Sequence, residues 1–240
     1  RRIAHEIKNP LTPIQLSAER LKRKYANEVI SDPEVFAQCT DTIIRQVGDI
    51  GRMVDEFSSF ARMPAPVMRR ENAQELVQQA IFLQRVANPE VTYKTDMPRE
   101  PVYFEGDGRL VAQALTNVLK NAGEGIAARL DKGDDMPGAI NIAVTPNGAG
   151  FAFTVSDNGI GLPREQRHRL TEPYVTTRAK GTGLGLAIVR KIVEDHGGDI
   201  QLEDVGEGEG AVVKLSFPLV QKNTRKKGAE DEQTHIAHGV

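Results

Sequence analysis

The chain has a single cysteine, Cys39, in 240 residues, so it can close no disulfide of its own and build no cysteine-rich metal site. A lone thiol fits a reducing compartment. No apolar run approaches the roughly 18 residues that a membrane-spanning helix needs, and the first residues lack the basic, apolar and small-residue layout of a signal peptide. A basic surplus is missing too. The 31 Lys and Arg residues stand against 33 Asp and Glu, for a formal net charge of -2, which excludes a general nucleic-acid footprint. What is present is 39% hydrophobic residues, enough to bury at least one full core in one or two domains.

HEIKNP (His5 to Pro10) carries another absence. A zinc hydrolase needs HExxH, and Asn9 stands where the second histidine would be, so the zinc reading fails by one residue. The stretch opens a helical pattern. Apolar residues fall at Ile7, Leu11, Ile14, Ala18, Leu21 and Tyr25, alternating steps of four and three. The rhythm recurs at Phe36, Cys39, Ile43, Val47, Ile50, Val54, Phe57 and Ala61. Both segments read as long amphipathic helices, the second near 40 Å long at roughly 1.5 Å per residue. Between them, Asp32 is placed as a cap and Pro33 at the first helical position. Two narrow apolar stripes make no large core, so an antiparallel hairpin that dimerises into a four-helix bundle is expected. The alternative is a single hairpin packed against its own C-terminal domain. A rotation of about 100° per residue turns His5 away from Ile7 and toward water, with Asn9 close to it around the axis. Pro10 and Pro13 follow, and a kink or loosened hydrogen bonds are expected just beyond His5.

Pro64 and Pro66 then stop the helical pattern and mark a semi-rigid joint that can act as a hinge. Beyond it the pattern predicts helices from Ala73 to about Arg85, about Gly108 to Leu130 and about Gly183 to Asp195. Extended pieces are expected at Val91–Thr95, Val102–Glu105, Ala139–Thr145, Phe151–Ser156, Asp199–Asp204 and Ala211–Phe217. Helices mixed with antiparallel hairpins imply a sheet covered by helices on one face.

Four polar patches interrupt this region. NVLKNAGE sets Asn117 and Asn121 four apart on one helix face, DNGIG (Asp157 to Gly161) ends an apolar strand, TTRAKGTGLGLAI strings Thr176, Thr177, Arg178 and Lys180 before Gly181, Gly183 and Gly185, and HGG (His196 to Gly198) ends a helix. GTGLGL is no P-loop, and the Rossmann context is absent. Its glycines can expose backbone N–H groups at a helix start, an anion site that Arg178 and Lys180 reinforce. Asp157 could accept the amine of a base, and Asn121 could offer a neutral oxygen to Mg2+ held by phosphates. Each patch alone has a bland reading as turn, loop or cap; the combination supports ATP binding.

In order, the HEIKNPLTPIQ, NVLKNAGE, DNGIG and EPYVTTRAKGTGLGLAIV boxes resemble the catalytic core of two-component sensor histidine kinases, most closely the nitrogen-regulation sensors of the NtrY and NtrB type. The likeness covers about residues 3 to 220. It implies a multidomain α and α+β fold: a dimerisation and phosphotransfer hairpin (residues 1–62), a linker (63–72), a Bergerat-type ATP-binding α/β sandwich (73–220) and a polar tail (221–240) expected to be disordered. His235 and His238 in that tail are read as incidental. By resemblance, His5 receives the γ-phosphoryl group of ATP through Nε2, Glu6 holds or deprotonates the Nδ1 side, and Asn9 positions water for dephosphorylating the partner regulator. Asn121 is the implied Mg2+ ligand, with Asn117 and Lys120 near the phosphates. Asp157 reads adenine in a pocket shaped by Gly159 and Gly161. Tyr174, Thr176, Thr177, Arg178, Lys180, Gly181, Thr182, Gly183, Leu184 and Gly185 form a mobile lid, with Tyr174 standing where many relatives carry phenylalanine. Related gyrase-like, MutL-like and Hsp90-like ATPases carry a basic glutamate at the place of Asn117, and an amide cannot be that base, which favours phosphoryl transfer over hydrolysis.

The implied activity is ATP-dependent autophosphorylation in a homodimer and transfer to an aspartate of a response regulator receiver domain, NtrX-like or NtrC-like, with regulator phosphatase activity besides. The alternative is a predominant regulator phosphatase or a regulator-binding module; intact nucleotide boxes disfavour a pure binding module. The resemblance also implies a cytoplasmic catalytic portion of a protein anchored in the bacterial inner membrane through upstream segments.

Overall fold

The structure, a computed structural model, describes residues 2–148, 150–163, 165, 167–176, 181–206 and 210–219; for residues 2–5 and 168 it describes the backbone alone. Thr177, Arg178 and Lys180 and the tail with His235 and His238 lie outside the described residues. Among these residues no helix is long and apolar enough to cross a membrane.

Helices α1 (Arg2–Tyr25) and α2 (Pro33–Ala61) form the expected hairpin. Its antiparallel register shows in two ion pairs: Lys8 meets Asp55, and fourteen residues on along α1, fourteen back along α2, Lys22 meets Asp41. That step is two heptads, the repeat of the apolar stripe. α1 runs without a break through Pro10 and Pro13, so the expected kink does not interrupt it. The two prolines still remove the N–H donors that would have met the carbonyls of Glu6 and Asn9. Asp32 occupies the N-cap of α2, but its side chain makes no capping hydrogen bond; Pro33 in the first turn supplies the preset backbone instead.

The second region packs helices on one face of a sheet, as the pattern implies. Its elements are β1 (Arg69–Asn72), α3 (Ala73–Ala87), β2 (Thr92–Asp96), β3 (Tyr103–Gly106), α4 (Gly108–Leu130), β4 (Ala139–Asn147), β5 (Gly150–Asp157), α5 (Gly185–Asp195), β6 (Asp199–Asp204) and β7 (Ala211–Pro218). The main sheet has the order β2-β4-β5-β7-β6. Along β7, Ala211, Val213, Leu215 and Phe217 are buried while the residues between them are half-buried, the period-two alternation of a sheet with one covered face. The rings of Phe104 on β3, Phe151 and Phe153 on β5 and Phe217 on β7 pack together, with centroids 5.0 to 5.8 Å apart, and join β3 to the main sheet.

Two details differ from the hairpin pattern expected of the strands. β2 and β4 run parallel, so the sheet is mixed. β3 joins no strand of that sheet; it pairs with β1, four residues of the joint that carry no apolar alternation. The joint is therefore strand at its end, and its start is docked, since Phe60 and Met63 pack against the second region's core.

Candidate functional site

Helix α4 is the axis of the site. Asp107 caps it by accepting from the N–H groups of Arg109 (3.1 Å) and Leu110 (3.4 Å). Burial by itself would raise the Asp107 pKa, but the N–H of Val67, then Arg109 and Leu110, outweigh it and hold the carboxyl below the usual carboxylate range. Leu110, Val111, Leu115, Val118 and Leu119 lock the inner face into the core, which turns Asn117 and Asn121 toward the start of α5. Asn117 Nδ2 donates to the Gly185 carbonyl at 3.4 Å, a bond that a carboxylate could not make. The amide atoms of Asn121 lie 3.8 to 3.9 Å from where a Cβ on Gly185 would sit. Lys120 is on the outer face, 3.9 Å from Glu124.

One further turn along α4 the DNGIG loop arrives. Asp157 is 9% exposed, and its Oδ1 accepts from the Gly159 N–H at 2.8 Å. Ile160 N–H donates to the Gly125 carbonyl at 3.2 Å, fastening the loop to the helix. A Cβ on Gly159 would lie 2.5 Å from the Gly125 carbonyl carbon, so this close approach admits only glycine. Gly161, with φ of 77°, follows at the loop's exit. Asn158, inside the motif but given no role by the sequence pattern, joins the loop to β4: its Oδ1 accepts from Ala139 N–H (2.8 Å) and its Nδ2 donates to the Pro137 carbonyl (2.9 Å). The Asx-turn chemistry of an Asp-Asn-Gly sequence was the available signal.

The third segment closes the opposite side. Tyr174 adopts φ of 67°, uncommon for a bulky side chain. Its N–H donates to the Gly183 carbonyl at 3.0 Å, and a Cβ on Gly183 would stand 2.6 Å from the Tyr174 carbonyl carbon. Gly183 itself has φ of 70°. That left-handed turn is why α5 begins at Gly185 and not near Gly183. Leu184, fully buried, anchors the helix start without offering a side-chain cap, so the first-turn N–H groups face the site without one. Thr182 Oγ1 accepts from Leu184 N–H at 3.3 Å and donates to Glu56 of α2. Phe57 lies beside Tyr174, with centroids 6.4 Å apart, and Tyr174 and Thr176 are exposed. Gly181 is half-buried at the segment's re-entry. The sequence marks Phe57 only as a stripe residue and Glu56 not at all, because nothing in a helix's periodicity announces a contact with a segment more than a hundred residues away.

The hairpin supplies the remaining candidates. His5 lies on α1, and its side chain is outside the described residues; Glu6 and Asn9 are exposed on the same helix. No group of three or more His, Cys, Asp or Glu that could hold a metal occurs among the described residues. The donor set fits Mg2+ only in one way: Asn121 offers one hard, neutral oxygen beside a helix N-terminus suited to phosphate, so most of the ion's ligands would be phosphate oxygens and water.

The comparisons with known proteins agree with this geometry. Residues 1–66 match the His Kinase A (phospho-acceptor) domain, and residues 106–221 match the histidine kinase-, DNA gyrase B-, and HSP90-like ATPase family. The chain is 60% identical to the nitrogen regulation protein NtrY of Azorhizobium caulinodans over 220 residues, 90% of this chain and 28% of that protein. It is 37% identical over 230 residues to a putative sensor histidine kinase NtrY-like of Rickettsia conorii, covering 96% of this chain and 37% of that protein. Among solved structures, histidine kinase ThkA in complex with response regulator protein TrrA matches with a TM-score of 0.63 at 26% identity, over 91% of this chain and 60% of that one. The chain thus spans about a third of the length of these curated relatives. An acceptor-type hairpin joined to an ATPase sandwich, with the NtrY likeness running through both, means that the chain belongs to the sensor histidine kinases, of the NtrY type.

Proposed function

We propose that the protein transfers the γ-phosphoryl group of ATP to His5 in a homodimer and passes it to an aspartate of a response regulator. The observation that carries this reading is the convergence on α4 of three segments far apart in sequence: Asn117 and Asn121, the Asp157 loop, and the α5 N-terminus. Asp157 reads the base. The α5 N–H groups, with Lys120 and the basic Arg178 and Lys180, bind the phosphates. Mg2+, held by Asn121, would neutralise phosphate charge. His5 Nε2 attacks the γ-phosphorus, the bond to ADP breaks, and ADP leaves with its electron pair. Glu6 holds or accepts the Nδ1 proton, which balances the positive charge that the ring gains on attack. The donated hydrogen bond from Asn117 supports phosphoryl transfer over hydrolysis, since no base for water stands there. A heptad-spaced set, Ile7, Ile14 and Leu21 with Ile43, Ile50 and Phe57, each 40% to 47% exposed, supports the dimer. The regulator, NtrX-like or NtrC-like, docks on the bundle by His5. The whole protein is anchored in the inner membrane by segments outside this chain. The functional division runs as 1–62, 63–72 and 73–220.

Exposed Asn9, one turn beyond His5, favours a phosphatase role in addition. The test is labelling with γ-labelled ATP and Mg2+. The label should be lost in acid, survive base and vanish in His5→Gln, while Asn9→Ala keeps it and slows regulator dephosphorylation. Acid-stable label, or label on another residue, would sink the acceptor assignment.

A further inference from the structure

The joint between hairpin and ATPase region is fastened at one buried carboxylate. Asp107, 3% exposed, holds three parts of the chain. One oxygen, Oδ1, caps α4. The other, Oδ2, accepts from the backbone N–H of Val67, forty residues earlier and directly after Pro66, and from Nη2 of Arg109, each at 3.1 Å. Its own N–H donates to His196 Nε2 at 2.9 Å, and His196, 1% exposed at the end of α5, lies with Nδ1 2.7 Å from the Ile192 carbonyl. An imidazole that accepts at Nε2 must carry its proton on Nδ1, so His196 is neutral and donates there. Gly106 has no room for a side chain between Phe104 and His196, which keeps the connection tight.

We propose that Asp107 is a positioning residue for phosphoryl transfer: it clamps the joint at Val67 to the N-terminus of α4 and, through His196, to the C-terminus of α5. Motion leaving α2 then reaches both helices that frame the nucleotide, and the joint is fixed from Val67 onward, so that a swing of the hairpin has to release the partly buried contacts of Phe60 and Met63 before it. The clamp rests on the kinase reading above and names the residue that sets the reach of the bound nucleotide toward His5. Nothing in it touches ATP.

Two variants cut the same bond from opposite sides. Asp107→Asn keeps an oxygen for the cap and turns an amide N–H2 toward the Val67 N–H, donor against donor, and it also gives up the ion pair with the exposed Arg109 side chain, which Val67→Pro leaves intact. Val67→Pro removes the donor and fixes φ, at a residue that is 52% exposed and follows Pro66 in an already restricted stretch. Hydrogen exchange of the peptide spanning Met63 to Met68 is well suited, because Pro64 and Pro66 leave it few amides. In the 240-residue chain, Asp107→Asn should speed Val67 exchange more than tenfold. Each variant should leave affinity for a fluorescent ATP analogue within twofold and slow His5 labelling at saturating ATP about fivefold, because a looser tether lowers the effective concentration of the two reacting parts. The double variant should be no slower than either single one. Unchanged exchange in Asp107→Asn, nucleotide affinity falling in step with labelling, or additive losses in the double variant would overturn the clamp. If the unaltered protein binds the analogue yet takes no label, the kinase reading fails instead, and exchange and affinity still judge the clamp.

Discussion

The hairpin and the ATPase region differ in where their apolar side chains end up. In the ATPase region Phe104, Phe151, Leu115, Ile142 and Leu215 are each at most 1% exposed, so a single chain completes its core. In the hairpin only Ala18, Val47 and Val54 are buried among the apolar side chains described, and a heptad stripe on each helix faces outward. Two helices in contact along one line shield one side of each stripe, whereas a sheet with helices laid across it shields a whole face. The lesson is that the first region is physically incomplete in one copy and the second is not. The homodimer proposed above would supply the missing half.

The sharpest way to break this contrast is Ile50→Lys. A charge buried without a partner costs about 3–5 kcal/mol, roughly two to four orders of magnitude in the dimer dissociation constant. Sedimentation should show monomers at micromolar concentration, with the affinity for an ATP analogue unchanged; an intact dimer would mean that the stripe is not the interface. Phe153→Ala addresses the other region. It should cost about 3–5 kcal/mol of the ATPase region's stability and abolish nucleotide binding near its lowered Tm, while the helical signal of the hairpin persists. Joint melting of both regions would show that the hairpin depends on its neighbour's core. Lys22→Met is the smallest probe. The Lys22–Asp41 pair is about half exposed on both sides, so its loss should change hairpin stability by only about 0.2–1 kcal/mol, and less at high salt. A larger loss in thermal melts would mean that the ion pairs, and not the stripe, hold the register.

Legibility followed the range of the interaction that sets each feature. α4 runs from Gly108 to Leu130, the bounds its sequence predicts, because an Asp cap and a long apolar period are local signals. The shared face of Asn117 and Asn121 is equally local, an i, i+4 spacing. The strand β1 was unreadable: RREN has no alternation and is held only by pairing with Tyr103–Gly106. The parallel pairing of β2 with β4 depends on a crossover through α4, which no local pattern encodes. At the site, the Gly-rich segment reads as an anion-binding helix start, but the left-handed Tyr174 that sets the first turn by meeting Gly183 is a contact between backbones nine residues apart.

By itself the sequence determined the two long helices, the main helices and most strands of the ATPase region and the boxes of polar residues, since helical period, strand alternation and turn chemistry act over a few residues. Only the tertiary structure decided that Asp157, Asn117 and Gly185 gather around α4, that Glu56 and Phe57 meet Thr182 and Tyr174, and that Asp107 ties Val67 to His196. Those contacts join segments dozens of residues apart. They are set by how the layers pack, a condition that no short window of sequence contains.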